Sequence, residues 1–150
     1  MLLDDVELFR PIPLFAPLKD EQLKIIAFSA RREVAPEGSV LFRAGDPANC
    51  GYVIRSGSVL LIEETAGQEV ERAVFGAGTL IGELALIADI DRPVTAMTRA
   101  DSELIMIPRE LFHRVMEEYP ETAAAMHTAL RGRLRAASSD MRRASMLSMD

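Results

Sequence analysis

The sequence predicts a mainly β protein: a β-roll of jelly-roll-like character with an N-terminal helical segment and a long C-terminal helical region. Three observations predict it. Between residues 31 and 107, short apolar runs alternate with closely spaced turn signals: Pro36-Glu37-Gly38-Ser39, Ala44-Gly45-Asp46-Pro47, Arg55-Ser56-Gly57-Ser58, Thr65-Ala66-Gly67-Gln68 and Gly76-Ala77-Gly78. Strands at such spacing close into a sandwich, barrel or roll. Ahead of this region prolines punctuate the chain, and behind it apolar residues recur at steps of three and four.

The first part, residues 1–30, carries Pro11, Pro13 and Pro17, which break it into short pieces. Asp20 is placed to cap a helix with Leu23, Ile26 and Ala27 on one face. Within 31–107 the clearest strands are Tyr52-Val53-Ile54, 59–62 and 70–75, and Ser56-Gly57-Ser58 reads as a hairpin turn between the first two. In 108–150, Pro108 opens a helix over 109–118 and Pro120 starts the next. Ala123, Met126, Leu130, Leu134, Ala137, Met141 and Ala144 form one apolar stripe. It suits either packing on the chain's own roll or a homodimer seam. The three parts read as one domain, a size that buries a real core.

Composition narrows the function. The 150 residues are 49% hydrophobic and 27% charged, with a net charge of −6. An acidic chain is a poor partner for nucleic acid, whose affinity rests on neutralised phosphates. The five bases Arg131, Arg133, Arg135, Arg142 and Arg143 against three acids after Pro120 are read as a solvated helix face, the alternative being a contact surface. Cys50 is the only cysteine, so no intrachain disulfide forms, and it reads as a buried structural thiol. The acidic start lacks the charge pattern of a secretory signal, and no apolar run has membrane-spanning length, so the cytoplasm is the expected location. His113 and His127, the only histidines, fall on predicted helices, which leaves no strand-borne histidine cluster for a cupin-type metal enzyme. No cysteine–histidine or serine–histidine pair stands out on the roll, and the chain is expected not to be an enzyme.

One segment, 78–98, breaks the strand pattern. Glu83-Leu84-Ala85-Leu86-Ile87-Ala88 is a good short helix by propensity, opening after Gly82 and followed by Asp89-Ile90-Asp91-Arg92-Pro93. A helix N-terminus presents unpaired N–H groups and favours an anion. Gly82 lets a ligand approach the backbone closely, and the planar fork of Arg92 suits a phosphate. Glu83 beside an anion needs a donor, and a sugar hydroxyl is one. A ligand carrying both phosphate and ribose satisfies all three residues.

Gly82-Glu83-Leu84-Ala85-Leu86, followed nine residues after Glu83 by Arg92-Pro93-Val94-Thr95, resembles the phosphate-binding cassette of the cyclic-nucleotide-binding domain family. Pro13-Leu14-Phe15 with Leu18, 38–42 with Gly45-Asp46, and Tyr52-Val53-Ile54 with Gly57 resemble that family elsewhere along the chain. The resemblance implies that Arg92 pairs with the exocyclic phosphate oxygens and that Glu83 accepts from the ribose 2′-hydroxyl. It implies that backbone N–H groups of Gly82, Leu84 and Ala85 line the phosphate or ribose, that Pro93, Val94 and Thr95 complete the cassette, and that the base lies on apolar roll side chains. Met126 or Leu130 would contribute a lid. The ligand is expected to be cyclic AMP or cyclic GMP, with no metal and no further cofactor. Thr or Ser after the arginine accompanies cyclic-GMP preference in this family, so Pro93 favours cyclic AMP; proline also removes a backbone donor to the phosphate.

The family's transcription regulators carry a helix-turn-helix, and these residues do not supply one. The expectation is therefore a sensor that signals through its C-terminal helices to a separate effector protein, without contacting nucleic acid or membrane itself. The alternative is an interaction or scaffold domain in which Glu83 and Arg92 form a structural ion pair and the pocket is vestigial.

Overall fold

The computed structural model describes residues 2–128 and 131. Helix α1 (Leu2–Phe9) leads through a 3-10 turn at Pro13–Phe15 to α2 (Asp20–Ser29). Ten strands follow: β1 (Arg31–Ala35), β2 (Val40–Phe42), β3 (Pro47–Ala48), β4 (Cys50–Ser56), β5 (Val59–Thr65), β6 (Gln68–Phe75), β7 (Leu80–Ile81), β8 (Ile90–Asp91), β9 (Thr95–Thr98) and β10 (Ser102–Pro108). Helix α3 (Arg109–Glu118) and a helical segment over 120–128 close the described chain.

The strands form two antiparallel sheets, in the orders β1-β10-β4-β7 and β2-β9-β5-β6, with β3 and β8 as a separate pair. Side chains alternate between the faces of a strand. On β4 and β10 that alternation serves two cores. Tyr52, Ile54 and Leu104 point into the roll with Phe42, Val59, Ile81 and Ala96. Val53, Ile105 and Ile107 point outward and pack with Phe9, Phe15, Leu23, Ile26, Leu86 and Phe112. Both faces are covered, which explains why these strands read as continuous apolar runs. Strand β6, at a sheet edge, is mostly exposed and carries Glu69, Glu71 and Arg72, charges that discourage edge-to-edge pairing.

Three polar ties hold the helices to the roll and to each other. Asp5 of α1, 1% exposed, pairs with Arg32 of β1 and lies 3.5 Å from Arg55 of β4. Buried Gln22 of α2 donates to the Thr122 hydroxyl at 2.8 Å, while its carbonyl oxygen accepts the Lys19 N–H. Arg109, the first residue of α3, donates to the carbonyls of Ala48 and Ala88.

The structure corrects three local expectations. Ser56-Gly57-Ser58 is a corner, since β4 and β5 belong to different sheets. Gly57 takes φ +97° there, and a Cβ on it would lie 2.2 Å from Ser102 Oγ and 2.7 Å from the Asp101 carbonyl. The tight hairpin is instead β5–β6, through Ala66 (φ 54°) and Gly67 (φ 78°), both left-handed. Lys19, with extended backbone, precedes α2 as its cap, and Asp20 is the first helical residue, where its charge favours the helix dipole. The segment after Gly82 is a 3-10 turn, Glu83–Leu86, shorter than its propensity suggests. The helix over 109–118 and the buried face Leu23, Ile26 and Ala27 stand as the periodicity predicts. Among the described residues, no helix is long and apolar enough to cross a membrane, and no cluster of potential ligands could hold a metal ion.

Candidate functional site

Gly82 ends β7 and turns the chain with φ +77°, the left-handed conformation that glycine adopts without strain. The 3-10 turn that follows is tightened by the Ala85 N–H donating to the Gly82 carbonyl at 3.1 Å and the Ala88 N–H donating to Leu84 at 2.9 Å. The Ala85 amide is thus engaged within the turn. Glu83 is half-buried at the start of the turn, and the Leu84 side chain is exposed. Leu86 is fully buried and packs in the helical core with Phe112 and Leu111, so the cassette touches α3 directly.

Six residues after Leu86 the chain reaches Arg92. Its backbone is clamped on both sides, the N–H donating to the Asp46 carbonyl and the carbonyl accepting from Gly45, each at 2.8 Å. Its side chain is 5% exposed. Nη2 donates to the Cys50 carbonyl at 2.8 Å and lies 3.4 Å from the Cys50 sulfur. The guanidinium carbon sits 4.0 Å from the centre of the Phe42 ring, a cation–π geometry. Nη1 lies against Gly82, and any Cβ there would approach it to 2.6 Å. Nε is buried with no hydrogen-bond partner. A buried charged donor without a partner is costly, and an anion would complete it.

Phe42 stacks in turn on Tyr52, with ring centres 6.2 Å apart and an interplanar angle of 28°. Burial pushes the Tyr52 phenol well above its ordinary range; the neighbouring Cys50 thiol and Glu33 push the same way, and Arg92 pulls against them. The phenol therefore stays neutral at physiological pH.

The structure brings Gly82 and Arg92 into contact across the fold. Pro93 is exposed; Val94 and Thr95 are half-buried, and the Thr95 hydroxyl accepts the Ala44 N–H at 3.0 Å. A cleft of about 430 Å³ opens beside the cassette, lined by Gly82 and Glu83 on one side and by Leu61, Phe75 and Ile81 on the other. Arg92 does not line it; the guanidinium lies buried behind the contact with Gly82. Met126 is 4% exposed, packs in the helical core with Phe112 and does not line this cleft. Leu130 lies outside the described residues.

Sequence reasoning missed Phe42, Cys50, Leu61 and Phe75 as parts of this site. Period-two exposure was a signal for the faces of Leu61 and Phe75, but not for Cys50, which stands on β4, buried on both faces. It was no signal for which arginine or cleft a residue meets. Arg109 was missed as well. It donates to the Ala88 carbonyl, two residues past the 3-10 turn, and lies 3.6 Å from Asp89, tying the segment to the first turn of α3.

Known proteins resemble the chain in sequence and in fold. The description of the cyclic nucleotide-binding domain matches residues 32–119. The chain is 32% identical over 126 residues to the cyclic AMP receptor protein of Thermus thermophilus, covering 83% of this chain and 58% of that protein. It is 34% identical over 101 residues to the lysophospholipase nte1 of Neurospora crassa, covering 66% of this chain and 7% of that one. It thus spans about three-fifths of the first relative's length and a small part of the second. The crystal structure of the N-terminal domain of a transcriptional regulator from Streptomyces coelicolor superposes with a TM-score of 0.80 at 32% identity, covering 88% of this chain and 95% of that one.

Proposed function

The chain belongs to the cyclic nucleotide-binding domain family, and from this premise we propose that it is a cyclic-nucleotide sensor, binding rather than catalytic, whose ligand is cyclic AMP in preference to cyclic GMP. The observation that carries the reading is the Arg92 guanidinium, 5% exposed, with Nε lacking any partner. A cyclic phosphate supplies the missing acceptor and compensates the buried charge. Glu83 accepts from the ribose 2′-hydroxyl, and the base lies in the cleft on Leu61 and Phe75. Because Arg92 sits behind Gly82, the cassette moves when the ligand enters.

That movement has a route outward. Leu86 packs against α3, and Arg109 links Ala88 to the first residue of α3. Ligand shifts the helices after Pro108 only by its differential affinity for their two arrangements. The output passes through these helices to a separate effector protein; the charge of −6 supports a protein listener over nucleic acid.

Titration calorimetry with cyclic AMP and cyclic GMP tests the reading. The expected result is saturable heat, larger affinity for cyclic AMP, and loss of binding in Arg92→Ala. No heat with either nucleotide at millimolar concentration sinks it.

A further inference from the structure

We propose that Phe42 is a positioning residue for the anion site: its ring is the shelf on which the Arg92 guanidinium is held, so that its Nε edge meets a phosphate once the Gly82 turn moves aside. The inference rests on the cyclic-nucleotide reading above and goes beyond it, because Phe42 stands fifty residues before Arg92 and outside the cassette.

A buried arginine needs something to fix its fork. A carboxylate does so by taking the very N–H groups that a phosphate needs. A ring face does so through its quadrupole, leaving the edges of the guanidinium available. Arg92 shows the second arrangement. Its carbon lies 4.0 Å from the Phe42 centroid, Nη2 is steadied by the Cys50 carbonyl, and Nε retains its unpartnered donor.

The shelf is itself rigid. Phe42 is 8% exposed, is backed by the Tyr52 ring, and sits on β2 opposite Ala96 of β9, the strand that Arg92 leads into. The backbone of Arg92 is held by Gly45 and Asp46, in the turn immediately after Phe42. One short stretch, 42–46, therefore fixes both ends of the arginine. Preorganisation of this kind raises affinity by removing the cost of ordering a long side chain on binding.

The test uses Phe42→Leu and Phe42→Tyr. Calorimetry should show cyclic AMP binding weakened about tenfold in Phe42→Leu and restored in Phe42→Tyr, which keeps the ring. Phe42→Leu also removes buried volume, so the ring contact itself is read from the Arg92 resonance. Independently, the Nε–Hε resonance of Arg92 in the wild type, assigned with Arg92→Lys, should be displaced upfield by the ring current. It should move toward the exposed arginines in Phe42→Leu. An Arg92 resonance lying among the exposed arginines in the wild type overturns the proposal, as does equal affinity in Phe42→Leu. Failure of Phe42→Leu to fold leaves the wild-type resonance and the Phe42→Tyr affinity as the deciding measurements. Absence of nucleotide binding by the wild type sinks the sensor reading, and the positioning role is then decided by the resonance alone.

Discussion

Arg109 Nη1 donates to the carbonyl oxygen of Ala88 at 2.9 Å, joining the first residue of α3 to the chain two residues past the cassette turn. The same guanidinium donates from Nη2 to Ala48 at 3.0 Å, and the Arg109 backbone N–H donates to Asn49 at 2.8 Å. One residue thus gathers the cassette, the turn before β4 and the start of the C-terminal helices.

Arg109→Ala should uncouple them. Two carbonyls lose charged donors, with a stability loss of about 1–3 kcal/mol, partly offset by water at a site the side chain leaves 20% exposed. In hydrogen exchange, ligand-dependent protection should spread from the cassette into α3 in the wild type and stop at the cassette in Arg109→Ala. Equal spread in both proteins would show that Leu86 packing alone carries the coupling.

Pro93 is exposed and has no N–H to offer a phosphate. Pro93→Ala restores that donor without disturbing the core. A hydrogen bond to a charged group contributes about 1.5–3 kcal/mol, so cyclic AMP should bind about ten- to hundredfold more tightly. Unchanged affinity by calorimetry would mean that the phosphate does not reach this position.

Gly57→Ala tests the corner between the sheets. Its φ of +97° strains any residue with a Cβ, and the new atom would meet Ser102 Oγ and the Asp101 carbonyl. Strain and overpacking together should cost about 2–4 kcal/mol in denaturant unfolding. A loss below about 1 kcal/mol would show that the β10 turn yields easily.

Tyr52 predicts an alkaline limit. Its acid is weakened by burial, so the folded state holds the proton more tightly than the unfolded chain does. The stabilisation is complete below the unfolded value of about 10 and is lost as pH rises above it toward the folded value. Unfolding curves should therefore show stability falling above about pH 10, with a shallower fall in Tyr52→Phe. Identical pH profiles would contradict this.

The sequence by itself determined what is written over short spans. The spacing of turn residues announced a roll, the period of three to four placed the helix over 109–118, and Gly82 marked the short turn that interrupts the strands. These features depend on backbone preferences and side-chain periods that act within a few residues. Tertiary structure alone decided the rest. It made Ser56-Gly57-Ser58 a corner instead of a hairpin, because β4 is buried on both faces and pairs with β10 and β7, while β5 finds β6 and β9. It set Phe42 over Arg92, Asp5 between Arg32 and Arg55, and Gln22 on Thr122. The physical reason is that a turn signal states where a strand ends but not which strand it joins. That choice is made when two apolar faces are buried at once, and it brings together residues whose separation along the chain carries no local trace.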